Sequence, residues 1–275
     1  MKTIALLALL LLSPYTSAEG PVEIPRSTKV ELSDPQTNRI YPIYIKLPRS
    51  YAANPDKVYP VIYLTDGLYS FQIASGATRF PMNSGAMDEA ILVSISYSKG
   101  SKGPSSRIRD YTPSAAKDWK LQTGKAAEHA QFIRETVFPY MAQQYRVHPE
   151  QRTYAGNSLG GLLGAYLLFK HPTMFDSYIL GSPSVWFDNH KLLSMTMAKL
   201  EQPVRVYLSV GTLERPQYGE QQDMVDGATR LNDKILNEGG DNLTVKFVMI
   251  DGAKHATAFP TTLIQGLDWL YGLPR

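Results

Sequence analysis

Residues Gly156-Asn157-Ser158-Leu159-Gly160 spell G-x-S-x-G between two segments of opposite character. Arg152–Ala155 reads as a short strand leading in, and Leu159–Lys170 as an apolar helix leading out. A strand that turns directly into a helix at a serine holds that serine in a strained backbone conformation and pushes its hydroxyl into the open. Gly156 and Gly160 have no side chains to collide across so tight a turn. The pattern therefore predicts an exposed nucleophile at Ser158 at the end of a sheet strand.

Partners for such a serine follow in a fixed order. The segment Val204–Gly211 alternates as a strand and runs into Thr212-Leu213-Glu214. The segment Leu243–Ile250 is another strand and runs into Asp251-Gly252-Ala253-Lys254-His255. Parallel strands present their carboxyl ends to one crevice, so an acid after one strand and a histidine after the next can both reach the serine. His255 is the expected base and Glu214 the expected partner that orients its ring. Asp223 and Asp226 are alternative acids, and a Ser158–His255 dyad without an acid is a further alternative.

Acyl transfer also needs donors for a developing oxyanion. The backbone N–H of Leu159, directly after the nucleophile, is one. A second is expected from the loop after strand Val58–Leu64, where Thr65-Asp66-Gly67 would let the N–H of Leu68 face the site.

The chain opens with Met1-Lys2-Thr3, an apolar run from Ile4 to Leu12 and the small residues Thr16-Ser17-Ala18. This is the pattern of a secretory signal peptide over residues 1–18, followed by one domain over 19–275, which predicts a periplasmic or secreted protein. No later apolar stretch is long enough to span a bilayer, so no stable membrane insertion is expected. A formal charge of +3, with basic residues scattered apart from a run between Lys99 and Lys125, is not the footprint of a nucleic-acid binder. There is no cysteine, which excludes disulfides and thiolate metal sites, and no H-E-x-x-H spacing. No metal and no cofactor are expected.

Strand and helix alternate regularly after residue 59, which predicts a mainly parallel central sheet with helices on both faces, and the strand–serine–helix turn at Ser158 makes the expected α/β architecture that of an α/β-hydrolase. Thr28–Leu32 and Ile40–Leu47 read as opening strands, with Pro42 placing the second near a sheet edge. Ala90–Tyr97 reads as a central strand, and Met174–Gly181 as another. The stretch from Tyr97 to Lys125, rich in Ser, Gly, Lys and Pro, reads as a long loop. Helices are expected at Lys125–Tyr145, Asp188–Leu200, Glu220–Asn237 and Thr261–Tyr271.

Several motifs carry a family resemblance: Tyr63–Gly67, Arg107–Pro113, Phe138-Pro139-Tyr140 with Tyr145-Arg146-Val147, Ala155–Gly161, Phe175, Ser182–Trp186 and His255. In combination they resemble the Putative esterase family of α/β-hydrolases, which includes esterase D, enterochelin esterases and mycobacterial mycolyltransferases. The similarity is greatest to the siderophore hydrolase branch. It implies Ser158 as nucleophile, His255 as base, the Leu68 region as oxyanion loop, and Arg107–Pro113 and Ser182–Trp186 as borders of the pocket. Arg107, Arg109 and Trp186 are then the candidate substrate contacts. Arg109 and Asp110 also read as a salt bridge that shapes the loop.

The expected function is a serine esterase acting through an acyl-enzyme on a small-molecule ester. A catecholate trilactone siderophore is one candidate and another acyl ester a second. Lys99, Lys102, Arg107 and Arg109 would favour an anionic substrate if they formed a cationic rim. An acyltransferase on the same scaffold is an alternative, as is a secreted binding protein that has lost catalysis.

Overall fold

The computed structural model describes residues 20–273. The expected signal peptide lies outside the described residues. Eight strands form one sheet: β1 (Ser27–Ser33), β2 (Ile40–Lys46), β3 (Tyr59–Leu64), β4 (Ile91–Ile95), β5 (Val147–Asn157), β6 (Ser177–Gly181), β7 (Val204–Gly211) and β8 (Leu243–Ile250). Their spatial order is β1-β2-β4-β3-β5-β6-β7-β8. β2 is antiparallel to both β1 and β4, and every other neighbouring pair is parallel. This is the expected α/β-hydrolase architecture.

The strand alternation sorts side chains into two core layers. Tyr63, Val93, Tyr154, Tyr178 and Leu208 pack on one face, beneath the helices α3 (Ser105–Tyr111), α4 (Ala126–Phe132), α5 (Phe138–Gln144), α6 (Leu159–Lys170) and α8 (Met224–Glu238). Ile62, Leu64, Leu92, Ala155, Ile179 and Tyr207 face the other way, toward α1 (Gly67–Ala77), α2 (Arg79–Ser84) and α9 (Ala258–Tyr271). The α6 sequence has little polar relief because the helix is buried along nearly its whole length. Gly164 lets it lie directly on the sheet, since a Cβ there would strike the Tyr154 ring and Leu180.

Strand β2 stands one in from the edge, near it as Pro42 suggested, and the proline is tolerated because the β2–β4 ladder begins only at Ile43. Several other expectations needed correction. The stretch after β4 is not all loop: it carries helix α3. The helix over Lys125–Tyr145 contains a π-helical turn at Ile133–Val137, which ends two residues before Pro139. Pro139 has no N–H to continue an α-helical ladder, and a widened turn accommodates the gap. The helix expected at Asp188–Leu200 is only a short α7 (Phe187–His190) and a 3-10 turn. Asp188, Asn189 and His190 all have positive φ, which Asp and Asn tolerate and a right-handed helix does not.

Candidate active site

Strand β5 ends at Asn157, helix α6 begins at Leu159, and Ser158 between them has φ 58° and ψ −117°. A non-glycine residue in this region is strained, and here the surroundings over-determine it. The Ser158 N–H donates to the Gly181 carbonyl at 2.9 Å, and its carbonyl accepts from Leu162 at 2.9 Å and Ser184 at 3.1 Å. The glycines are required by space: a Cβ on Gly156 would lie 2.5 Å from the Gly160 carbonyl oxygen, and one on Gly160 would lie 2.5 Å from Thr65 Oγ1.

His255 and Glu214 meet after β8 and β7. The distance from His255 Nδ1 to Glu214 Oε2 is 2.6 Å. Glu214 is fully buried. Its other oxygen, Oε1, accepts from the Gly211 N–H at 2.7 Å and the Ser182 hydroxyl at 2.6 Å. A buried carboxylate with this set of donors is held as an acceptor, so the imidazole carries its proton on Nδ1 and leaves Nε2 as the basic nitrogen. Asp223 and Asp226 are engaged elsewhere. Asp223 caps α8 by accepting from the Asp226 N–H at 2.9 Å, and Asp226 pairs with Arg230 at 3.5 Å.

Among the described residues, no hydrogen bond joins Ser158 to His255. The Ser158 hydroxyl is instead 3.1 Å from the Ser184 hydroxyl. Catalytic hydrogen bonds in unliganded sites are often long and tighten with substrate. The segment Ser182-Pro183-Ser184 thus touches both the acid and the nucleophile. The sequence shows this segment as a motif after a strand, the one signal of its place, but not the division of labour between its two serines.

Leu159 and Leu68 are the first and second residues of α6 and α1. N–H groups in a first helical turn have no intrahelical acceptor. Leu68 is half-exposed, and Asp66 before it has φ 61°. Gly67 is needed because a Cβ there would overlap Ser96.

The candidate substrate contacts divide. The Trp186 ring is half-buried and stacks on Trp119, with centroids 6.2 Å apart and an interplanar angle of 18°. Trp119 also meets the edge of Phe187. Ser114 donates to Asp188 at 2.5 Å, so the stretch after α3 is pinned to the stretch after β6. Trp119 was not anticipated, because nothing local to it distinguishes it from a loop tryptophan. Arg107 and Arg109, by contrast, have their guanidinium groups engaged within the protein. Arg107 binds Asp66 and the Asn157 carbonyl. Arg109 grips Asp110 in a two-pronged pair at 2.7 and 2.8 Å and reaches Ser98 at 3.0 Å. Lys99 pairs with Glu31 at 2.7 Å. The charges expected to form a cationic rim are thus mostly compensated, and Lys102 is the exposed one for which no ion pair is found among the described residues.

Of the other histidines, His129 is buried between Tyr41, Tyr111 and Phe132, and burial pushes its imidazole below the usual range. His148 accepts from the Glu150 and Gln151 N–H groups. Among the described residues, no group of three or more His, Asp and Glu side chains is arranged to hold a metal ion, and no helix is long and apolar enough to cross a membrane.

Known proteins resemble this chain in sequence and fold. The ferri-bacillibactin esterase BesA of Bacillus subtilis is 28% identical over 264 residues, covering 89% of each chain. The solved structure of BES protein from Bacillus cereus superposes with a TM-score of 0.81 at 28% identity, covering 94% of this chain and 99% of that one. The siderophore hydrolase EstB from Aspergillus nidulans gives a TM-score of 0.75 at 25% identity, with 94% and 99% covered. The model of the Putative esterase family matches residues 35–270. With that match across most of its sheet and its elbow, the chain is similar to siderophore esterases, its chemistry is carboxylic ester hydrolysis, and it belongs to the Putative esterase family.

Proposed function

We propose that the chain is a serine esterase that opens an ester bond of a siderophore through an acyl-enzyme on Ser158. The observation that carries this reading is the buried Glu214 set 2.6 Å from the His255 ring, in the loops after β7 and β8, at the same end of the parallel sheet as the elbow of Ser158 after β5. In this mechanism His255 Nε2 takes the proton of the Ser158 hydroxyl as Oγ attacks the ester carbonyl. The carbonyl oxygen becomes an oxyanion and receives the N–H groups of Leu159 and Leu68. As the intermediate collapses, the imidazolium returns that proton to the departing alcohol oxygen. Water then attacks the acyl group on Ser158, His255 takes its proton, and Ser158 leaves with the proton handed back. Glu214 keeps the ring in one tautomer and stabilises its charged form.

The siderophore part of the proposal draws on BesA and EstB, whose names give ferri-bacillibactin and siderophores as their substrates. Within this chain, the stacked Trp119 and Trp186 offer an aromatic surface suited to catecholate rings. The enzyme's place is outside the cytoplasm, an inference from residues 1–18 alone. Mass spectrometry of the mature protein would then find Glu19 at the N-terminus, and a chain starting at Met1 recovered from cytosol would refute it.

The activity is tested with a catecholate trilactone, its ferric complex and a panel of chromogenic acyl esters. Hydrolysis of the trilactone with a kcat/KM well above that of the simple esters supports the siderophore assignment. Preference for simple acyl esters, with no trilactone opening, overturns it while leaving the esterase.

A further inference from the structure

Helix α3 carries Arg107 and Tyr111 one turn apart, and such residues share a helix face. Both act on the same residue, Asp66. Arg107 Nε donates to Asp66 Oδ1 at 2.6 Å and Nη2 to Oδ2 at 3.2 Å. The same Nη2 donates to the Asn157 carbonyl at 3.0 Å. The Tyr111 hydroxyl accepts from the Asp66 N–H at 3.1 Å, and the Tyr97 hydroxyl donates to Oδ1 at 2.8 Å. Asp66 precedes Leu68 by two residues, and Asn157 precedes Leu159 by two. One guanidinium therefore spans the two loops that carry the proposed oxyanion donors.

We infer that Arg107 is the positioning residue of the oxyanion pocket, clamping the loop of Leu68 to the elbow of Leu159 through Asp66 and the Asn157 carbonyl. The inference rests on the reading of Leu68 and Leu159 as oxyanion donors. It has two physical parts. Asp66 sits in the left-handed region, and the bonds to its carboxylate and its N–H hold it there. Its carboxylate also lies close to the start of α6: Oδ2 is 3.3 Å from the place a Cβ on Gly160 would occupy. An unpaired negative charge there would oppose a developing oxyanion, and Arg107 cancels it inside a partly buried site where charges are weakly screened. The planar fork is the reason for arginine: a lysine could neutralise Asp66 but could not hold both oxygens and the carbonyl in one plane. This places Arg107 behind the pocket wall and not in contact with substrate.

The test compares wild type with Arg107→Met, Arg107→Lys and the double variant Asp66→Asn/Arg107→Met. Two substrates are used, the neutral p-nitrophenyl butyrate and an anionic p-nitrophenyl hemisuccinate. The expected result for Arg107→Met is a fall in kcat of about 100-fold on both esters, with KM within about threefold, as for loss of oxyanion stabilisation. Arg107→Lys falls between, and the double variant regains part of the lost kcat because the stranded carboxylate is gone. A kcat within about threefold of wild type on the neutral ester, or a loss confined to KM for the anionic ester, overturns the inference and makes Arg107 a bystander or a substrate contact. Thermal melts accompany the kinetics. If Arg107→Met does not fold, Arg107→Lys decides: reduced kcat at unchanged KM supports the clamp, and unchanged kcat removes it. Labelling of wild type with a fluorophosphonate separates the two levels. No label on Ser158 defeats the serine mechanism itself, whereas a labelled Ser158 with an indifferent Arg107 defeats only the clamp.

Discussion

Glu214 Oε2 lies 2.6 Å from His255 Nδ1, while the Gly211 N–H and the Ser182 hydroxyl hold the other oxygen of the same carboxylate. The acid is fixed from both sides, so its removal should alter the ring's tautomer more than the fold. Glu214→Gln is expected to lower kcat by about 10²- to 10⁴-fold with a near-native circular dichroism spectrum. Asp223→Asn should leave kcat alone, because Asp223 caps α8. Steady-state kinetics of the two variants decide between these carboxylates. Unchanged kcat in Glu214→Gln would leave a Ser158–His255 dyad.

Gly160 lies against Thr65 and Asp66, at the seam between the elbow and the proposed oxyanion loop. An added methyl must push that loop away from α6. Gly160→Ala is expected to lower kcat at least about tenfold, in the way that a displaced oxyanion donor does. The comparison of kcat with KM on a neutral chromogenic ester is the check, and a change in KM alone would place the disturbance in substrate binding.

Arg109 and Asp110 form a buried pair whose remaining partners are Tyr41, Ser98 and Ser106. Breaking such a pair strands a charge. Arg109→Ala should cost about 3–5 kcal/mol in urea unfolding and leave KM near its wild-type value. A rise in KM with unchanged stability would restore Arg109 as a substrate contact.

His129 makes stability depend on acid pH. Burial among Tyr41, Tyr111 and Phe132 pushes its imidazole down, with the Asp110 charge opposing that shift. Below the ordinary imidazole value of about 6.5 the unfolded chain takes up a proton that the native chain refuses. Stability attributable to neutral His129 is therefore complete above that pH and is lost as the pH falls below it, by up to about 1.4 kcal/mol per pH unit for one proton. Urea unfolding at pH 7 and pH 5 should show a smaller drop in His129→Phe than in wild type.

The parallel half of the sheet was legible because each strand is an apolar run, and the elbow because its glycines are demanded by contacts local to the turn. The order Ser158, Glu214, His255 could be read since all three follow strand ends. What could not be read depends on long-range packing. Arg107 and Arg109 look alike in sequence, yet one clasps Asp66 and the other Asp110, because neighbouring positions on α3 face different elements. Trp119 gained its meaning only from stacking on Trp186, and the left-handed turn at Asp188–His190 displaced a helix that its composition would allow.

The account depends above all on Ser158 carrying the acyl group. The direct measurement is acid quenching of the enzyme during turnover of a chromogenic acyl ester, followed by peptide mass spectrometry. The account predicts an acyl mass on the Ser158 peptide in wild type, a larger fraction of it in Glu214→Gln if deacylation slows, and none in Ser158→Ala, whose kcat falls by several powers of ten. An acyl adduct on another residue, or Ser158→Ala retaining more than about a tenth of the activity, would contradict it.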